Sequence, residues 1–222
     1  MVNNSTHKFF LRNKINLDIH HKCTLGCNKC GRYFIMNNKE SNITSSNFPG
    51  CPLSDSDWKK ILHHFTHINF CGQVSDPMMH SKLSNFLGDM YAVSKVGKVH
   101  TAISQRPMKH YIKAFEVNPN MKWVFGIDGL PKDSHKYRTN QNGEKLFEVM
   151  LEAKKRLKNT PQWQYIVFKY NENDISEAKE LAIKHGLEIN FMYSGRYSKD
   201  DPLMPSPEFR IDREEKYSDS NR

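Results

Sequence analysis

Two rhythms of apolar residues alternate along the chain. Short runs with period two, or with continuous apolar character, recur at 15–19, 68–71, 99–103, 123–127, 165–168 and 187–192. Each reads as a strand, because side chains that alternate between two faces bury one face in such a run. Between these runs the spacing changes to three and four. Leu83, Phe86, Leu87, Met90 and Val93 share one helical face, and Leu146, Val149, Met150, Ala153 and Leu157 share another. Ile175, Ala178, Leu181 and Ala182 define a further helix, which Gly186 stops as a C-terminal cap. Ser54 and Asp57 open a helix running to about residue 64 with a capping-box pattern, and a short helix covers 108–115. The stretch 37–52 is rich in Asn and Ser and reads as a loop.

The order is six β-α-like units without a final helix. Strands alternating with helices at this spacing imply a parallel sheet with right-handed crossovers, hence an α/β fold. Six units are too few to close an eight-strand barrel. An open (β/α)6 partial barrel, three-quarters of a TIM-like barrel, is one solution, and a doubly wound flat sheet is its rival. The core domain spans 14–194. Residues 1–13 form a polar N-terminal extension, and 195–222, polar and rich in proline and charge, form a C-terminal tail that drapes over the domain or stays disordered.

Composition narrows the class. With 222 residues the chain can bury a large core without disulfide staples, and 37% hydrophobic with 26% charged residues is polar but not a disorder signature. No apolar run reaches the roughly 18 residues of a membrane span, and residues 1–8 lack a signal-peptide apolar stretch. A cytoplasmic location follows as an expectation, and in a reducing cytosol the five cysteines read as metal ligands or free thiols. The net charge of +9 fits a solvated basic surface better than a nucleic-acid partner, since no nucleic-acid motif accompanies it.

The most informative stretch is Cys23-Thr-Leu-Gly-Cys27-Asn-Lys-Cys30, directly after the first predicted strand. Three thiolates so close in sequence reach one centre only if the backbone loops around it, and Gly26 lets that loop turn. Thiolates are soft ligands that select zinc or iron–sulfur clusters. A zinc site would need a fourth ligand, for which His20 or His21 is available, but no second ligand pair at zinc spacing follows. A 4Fe–4S cluster held by three cysteines leaves one iron open to a reactant. The loop also stands where parallel barrels keep their chemistry, at the C-terminal ends of strands.

This spacing and placement resemble the radical SAM superfamily, and the resemblance extends from about residue 16 to 192. It implies that Cys23, Cys27 and Cys30 hold a 4Fe–4S cluster and that S-adenosylmethionine (SAM) chelates its open iron. It further implies that SAM is cleaved reductively to a 5′-deoxyadenosyl radical, which takes hydrogen from a substrate. Val74-Ser75-Asp76-Pro77 after Gly72 stands where the family carries a Gly-Gly-Glu-Pro-like segment, so Gly72, Ser75 and Asp76 are implied contacts to the SAM amino group. An Asp-Pro turn is the alternative for Asp76. Thr101 and Ser104 keep the ends of a Thr-Asn-Gly-Ser-like stretch, making Ser104 a SAM contact or a helix cap. Asp128-Gly129 with His135 and Arg138 is similar to a signature of the peptide-modifying and cofactor-building branch. Arg138 would pair the SAM carboxylate, and Asp128 would face ribose or substrate or make the turn. Gly126 replaces a serine common in relatives. Val167 or Phe168, and Phe191 or Met192, would flank adenine, with core packing an equal account of each. Lys29 stands where relatives carry an aromatic residue near adenine, and Tyr33 could substitute.

Cys51 and Cys71 have no partner at ligand spacing, so one cluster is expected, with Cys71 buried at a strand end. The resemblance implies a one-electron reductant of flavodoxin or ferredoxin type, and a substrate that is a peptide or protein, or else a nucleoside or RNA. A partner protein could cover the open side of the barrel. A zinc- or cluster-binding module, or a relative that no longer cleaves SAM, is the competing reading.

Overall fold

A computed structural model of the chain describes residues 13–38, 40–198 and 200–210. Most of the predicted N-terminal extension, and the tail from 211 onward, therefore lie outside the described residues. Six strands, β1 (Lys14–Leu17), β2 (His67–Cys71), β3 (Lys98–Thr101), β4 (Lys122–Gly126), β5 (Gln162–Val167) and β6 (Glu188–Tyr193), form one sheet in sequential order. Every neighbouring pair is parallel. Sequential order excludes the flat doubly wound rival, in which the winding reverses at a switch point. The sheet instead winds in one direction as an open barrel wall, with β1 and β6 as its two edges.

Helices connect the strands: α1 (Gly31–Met36) and α2 (Asp55–His64) after β1, α3 (Leu83–Ala92) after β2, α4 (Met108–Val117) after β3, α5 (Gly143–Arg156) after β4 and α6 (Ile175–His185) after β5. The Ser54 side chain caps α2 by accepting from the Asp57 amide, as the pattern predicts, and Gly186 closes α6 in the left-handed conformation at φ 58°. Helix α1 is absent from the sequence reading, because its six residues are too few to show a period. Val93 leaves the predicted α3 face, standing 51% exposed just past the helix end. No helix among the described residues is long and apolar enough to cross a membrane.

Strand parity divides the molecule in two. On β5, Trp163, Tyr165 and Val167 are buried, while Gln162, Gln164 and Ile166 are half-buried. The first set joins Phe70, Val99, Trp123 and Phe125 in the core against the helices. Trp163 packs on Phe147 of α5 and Trp123 on Phe115 of α4, with ring centroids 5.5 and 4.8 Å apart. The opposite face, the concave one, is polar: Asn16 lies beside Asn69 on β1–β2, and Gln164 beside Asn190 on β5–β6. A sheet that is apolar on one face only must keep the other face for water or a ligand.

Residues 195–198 and 200–210 lie against the domain. Tyr197 donates its hydroxyl to the Val167 carbonyl at 2.9 Å, the Lys169 amide bonds the Leu203 carbonyl at 3.0 Å, and the buried Asp201 pairs with Lys29 of the cysteine loop.

Candidate active site at the C-terminal rim of the sheet

The backbone ladder between neighbouring strands stops at the rim, and the amides beyond it need other acceptors. Three aspartates supply them. Past the last β1–β2 pair, Leu17 with Phe70, the Asp18 carboxylate accepts from the Gln73 and Val74 amides at 2.7 and 3.2 Å and from the Ser75 hydroxyl. Past the last β2–β3 pair, Asp76 accepts from the Ala102 and Ile103 amides at 2.8 and 3.3 Å, from the Met78 amide at 3.0 Å and from the Thr101 hydroxyl at 2.9 Å. Past the last β4–β5 pair, Asp128 accepts from the Ile166 amide at 2.7 Å. Between β3 and β4 the free groups are carbonyls, and the Gln141 amide donates to those of Ala102 and Gly126 at 2.6 and 2.9 Å.

These bridges hold a cavity of about 620 Å³ open at the rim. Cys23, Cys27 and Cys30 all line it, with Arg32, Arg138, His100, Gln164 and Met192. The cysteine loop is held from both sides. The Gly26 amide donates to the Thr139 carbonyl at 3.0 Å, and Thr24 donates to Gln105 at 2.9 Å. On the other side Arg196 bonds the Lys29 carbonyl at 3.0 Å. All three cysteines are free thiols. Burial, then the nearby Asp76, pushes the Cys23 thiol up to about 12, and burial pushes Cys27 up to about 11 against the pull of Arg138. Both are protonated near neutral pH and would have to give up their protons to bind a metal. Among the described residues, no three or more His, Cys, Asp or Glu side chains stand as they would around a single metal ion. His20 and His21 stack on each other, with ring centroids 4.8 Å apart.

The structure gathers some of the predicted SAM contacts and removes others. Gly72, Ser75, Asp76, Arg138 and Met192 line the cavity. Gly72 has no room for a side chain, since a Cβ there would meet the Ser75 carbonyl oxygen at 1.7 Å. The Ser75 hydroxyl is spent on Asp18. The Asp76 carboxylate is buried and saturated by the fold's own donors, so it has no free lone pair for an amino group. Ser104 is buried outside the lining, where its hydroxyl accepts from the Asn142 amide at 2.8 Å just before α5. Asp128 is also outside the lining. It faces Arg138 instead, with Oδ2 2.7 Å from Nε, a close but poorly angled contact. Burial works against the Arg138 charge, and Asp128 holds it on. Gly126 makes the space for that guanidinium, because a Cβ there would stand 2.6 Å from Arg138 Nη2.

The adenine assignment shifts along β5. Phe168 is fully buried against Tyr137, with centroids 4.3 Å apart, and Val167 faces the helices. Ile166 and Gln164 occupy the cavity wall in their place. Tyr33 reaches the cavity, while His135 is exposed and bonds the Lys132 carbonyl. Cys71 is half-buried on the cavity wall, not enclosed as expected, and Cys51 is exposed. Burial pushes His100 down to about 4, so it is neutral near pH 7. Sequence reasoning missed Asp18, Arg32 and Gln141. Only Asp18 carried a signal, as a carboxylate at the end of a strand that opens on the cysteines.

Two outcomes follow from this geometry. Asp76→Asn places an amide donor against four donors and should lower unfolding stability by about 3 kcal/mol in urea denaturation without any ligand. An unchanged midpoint would return Asp76 to the role of a free ligand. In the metal-free protein, a thiol near 11 is on the order of one part in a thousand thiolate at pH 8. Alkylation followed by peptide mass mapping should therefore label Cys51 first and Cys23 and Cys27 last, with their rates climbing as pH rises. Equal rates at pH 8 would contradict the buried-thiol geometry.

No family model matches the sequence, and no curated protein matches it. Solved structures do. SuiB of Streptococcus suis bound to S-adenosylmethionine superposes with a TM-score of 0.66 at 12% identity, over 94% of this chain and 47% of that one. SuiB bound to its precursor peptide SuiA gives a TM-score of 0.67 at 12% identity, over 94% of this chain and 45% of that one. Methylornithine synthase (PylB) gives 0.56 at 14% identity, over 84% of this chain and 55% of that one. The chain spans about half the length of these structures. It shares their fold, an open (β/α)6 partial barrel.

Proposed function

We propose that the chain is a radical SAM enzyme. Cys23, Cys27 and Cys30 would hold a 4Fe–4S cluster, with SAM in the adjoining cavity. The observation that carries this reading is the convergence of three free cysteines on one rim cavity, in a fold shared with a SAM-bound structure. The donor set fits the group: three soft sulfurs, a buried guanidinium at Arg32 and a second at Arg138 suit a cluster whose thiolates carry net negative charge.

When bound, the cluster and SAM supply a 5′-deoxyadenosyl radical by one-electron reductive cleavage. The chain's own residues do the rest. Arg138, fixed by Asp128 and admitted by Gly126, presents a guanidinium to a carboxylate in the cavity. The carbonyls of the turn 72–75, whose amides Asp18 holds, replace the saturated Asp76 as candidate acceptors for the amino group. Ile166 and Met192 offer apolar surface, and Tyr33 a ring, to an aromatic base. Asn16, His100 and Gln164 line the concave wall with neutral polar groups, suited to an uncharged amide-bearing substrate. A peptide or protein is favoured over a nucleoside, in keeping with the precursor peptide held by SuiB. A flavodoxin- or ferredoxin-like protein would deliver the electron.

Anaerobic protein, reduced with dithionite in the presence of SAM, is expected to release 5′-deoxyadenosine detectable by mass spectrometry. Replacing Cys23, Cys27 or Cys30 by alanine should reduce that release at least a hundredfold. Intact SAM beside an assembled cluster would make the chain a binding module, and zinc in place of iron and sulfide would make the cysteines a structural site.

A further inference from the structure

Arg32 is a buried cation with no carboxylate among the described residues to balance it. It is the second residue of α1, just after the cysteine loop, and is only 2% exposed. Its guanidinium donates to neutral oxygens: the carbonyl of His21 at 2.6 Å, the carbonyl and hydroxyl of Ser45 at 3.3 and 3.2 Å, and more weakly the carbonyl of Val74 at 3.5 Å. The Phe48 ring covers one face, 4.0 Å from Cζ. Among the described residues no Asp or Glu pairs with it. A buried charge without a counter-ion is costly, and proteins keep one where an opposite charge compensates it. Arg32 also lines the same cavity as Cys23, Cys27 and Cys30. The other buried guanidinium of the cavity, Arg138, already has Asp128.

We propose that Arg32 is the built-in counter-charge of the three-thiolate site and raises the reduction potential of the cluster bound there. The inference rests on the reading of Cys23, Cys27 and Cys30 as cluster ligands. Reduction adds one negative charge to the cluster, and a fixed positive charge in a low-dielectric wall favours the reduced form. Arg32 acts through the cluster's field rather than by touching a reactant, so it is a positioning residue in the electrostatic sense. Its bonds to His21, Ser45 and Val74 offer a competing account, in which it only ties three loop segments together. Charge and clamp separate experimentally, because lysine keeps the first and loses most of the second.

The test is a dithionite titration of anaerobic protein, with the reduced cluster followed by electron paramagnetic resonance and iron and sulfide counted. Arg32→Gln is expected to lower the potential by at least about 60 mV, a tenfold change in the one-electron equilibrium. Arg32→Lys should stay within about twofold of the wild type, roughly 18 mV. Phe48→Leu, which loosens the packing and keeps the charge, should do the same. If Arg32→Gln assembles no cluster, recovery of both cluster and potential by Arg32→Lys supports the charge, and failure of both variants to assemble overturns it. Equal potentials in wild type and Arg32→Gln, or equal shifts in Gln and Lys variants, would leave Arg32 as a clamp and overturn the proposal. A wild type that takes up no iron and sulfide would instead remove the cluster reading itself, and the counter-charge with it.

Discussion

An open barrel wall has a problem at its rim: where the strands part, the backbone groups of each lose the partner that the ladder gave them. In this chain that problem is solved by side chains, and the solution shapes everything around the cavity. Asp18, Asp76 and Asp128 each reach from the end of one strand to the amides of the next, and Gln141 spans the one gap where carbonyls are left free. A carboxylate accepting several amide bonds is worth more than a neutral acceptor, and its loss leaves several buried donors unsatisfied together. The rim is therefore rigid where a cofactor would need fixed groups, and its acids are consumed in making it so.

That consumption explains the charge of the cavity. With Asp76 saturated and Asp128 committed to Arg138, the charged groups left facing the space are guanidiniums, beside the protonated thiols. The cavity thus favours anionic occupants at the cysteine end and neutral polar ones along the concave wall, where Asn16, His100 and Gln164 stand. The cysteine loop sits between these two environments. It is pinned by the 139–140 segment on one side and by Lys29, Asp201 and Arg196 on the other, so the descending chain after β6 forms part of the wall that holds it.

The architecture was legible because it rests on periodicity. Trp163, Tyr165 and Val167 alternate with Gln162, Gln164 and Ile166 clearly enough to place a strand, and the helix faces at Leu146–Leu157 are all buried. The cysteine spacing likewise marked the cavity before any geometry was known. What the sequence could not show is which end of a polar side chain is already spoken for. Asp76 and Ser104 stand at rim positions suited to binding, yet their oxygens bond Ala102 and Asn142. Phe168 shares the parity of Gln164 and Ile166, but it stands one residue past β5, where Tyr137, Tyr170 and Tyr197 pack around it and bury it. Arg32 was unreadable because no local pattern encodes its burial among neutral oxygens without a carboxylate among the described residues.

The account turns on whether the cavity holds a cluster with an iron left open to SAM. Electron paramagnetic resonance of the anaerobic, reduced protein, recorded with and without SAM, tests this directly. A cluster signal whose shape changes on adding SAM is the predicted result. A signal indifferent to SAM, or no iron–sulfur signal from protein that carries zinc, would contradict it.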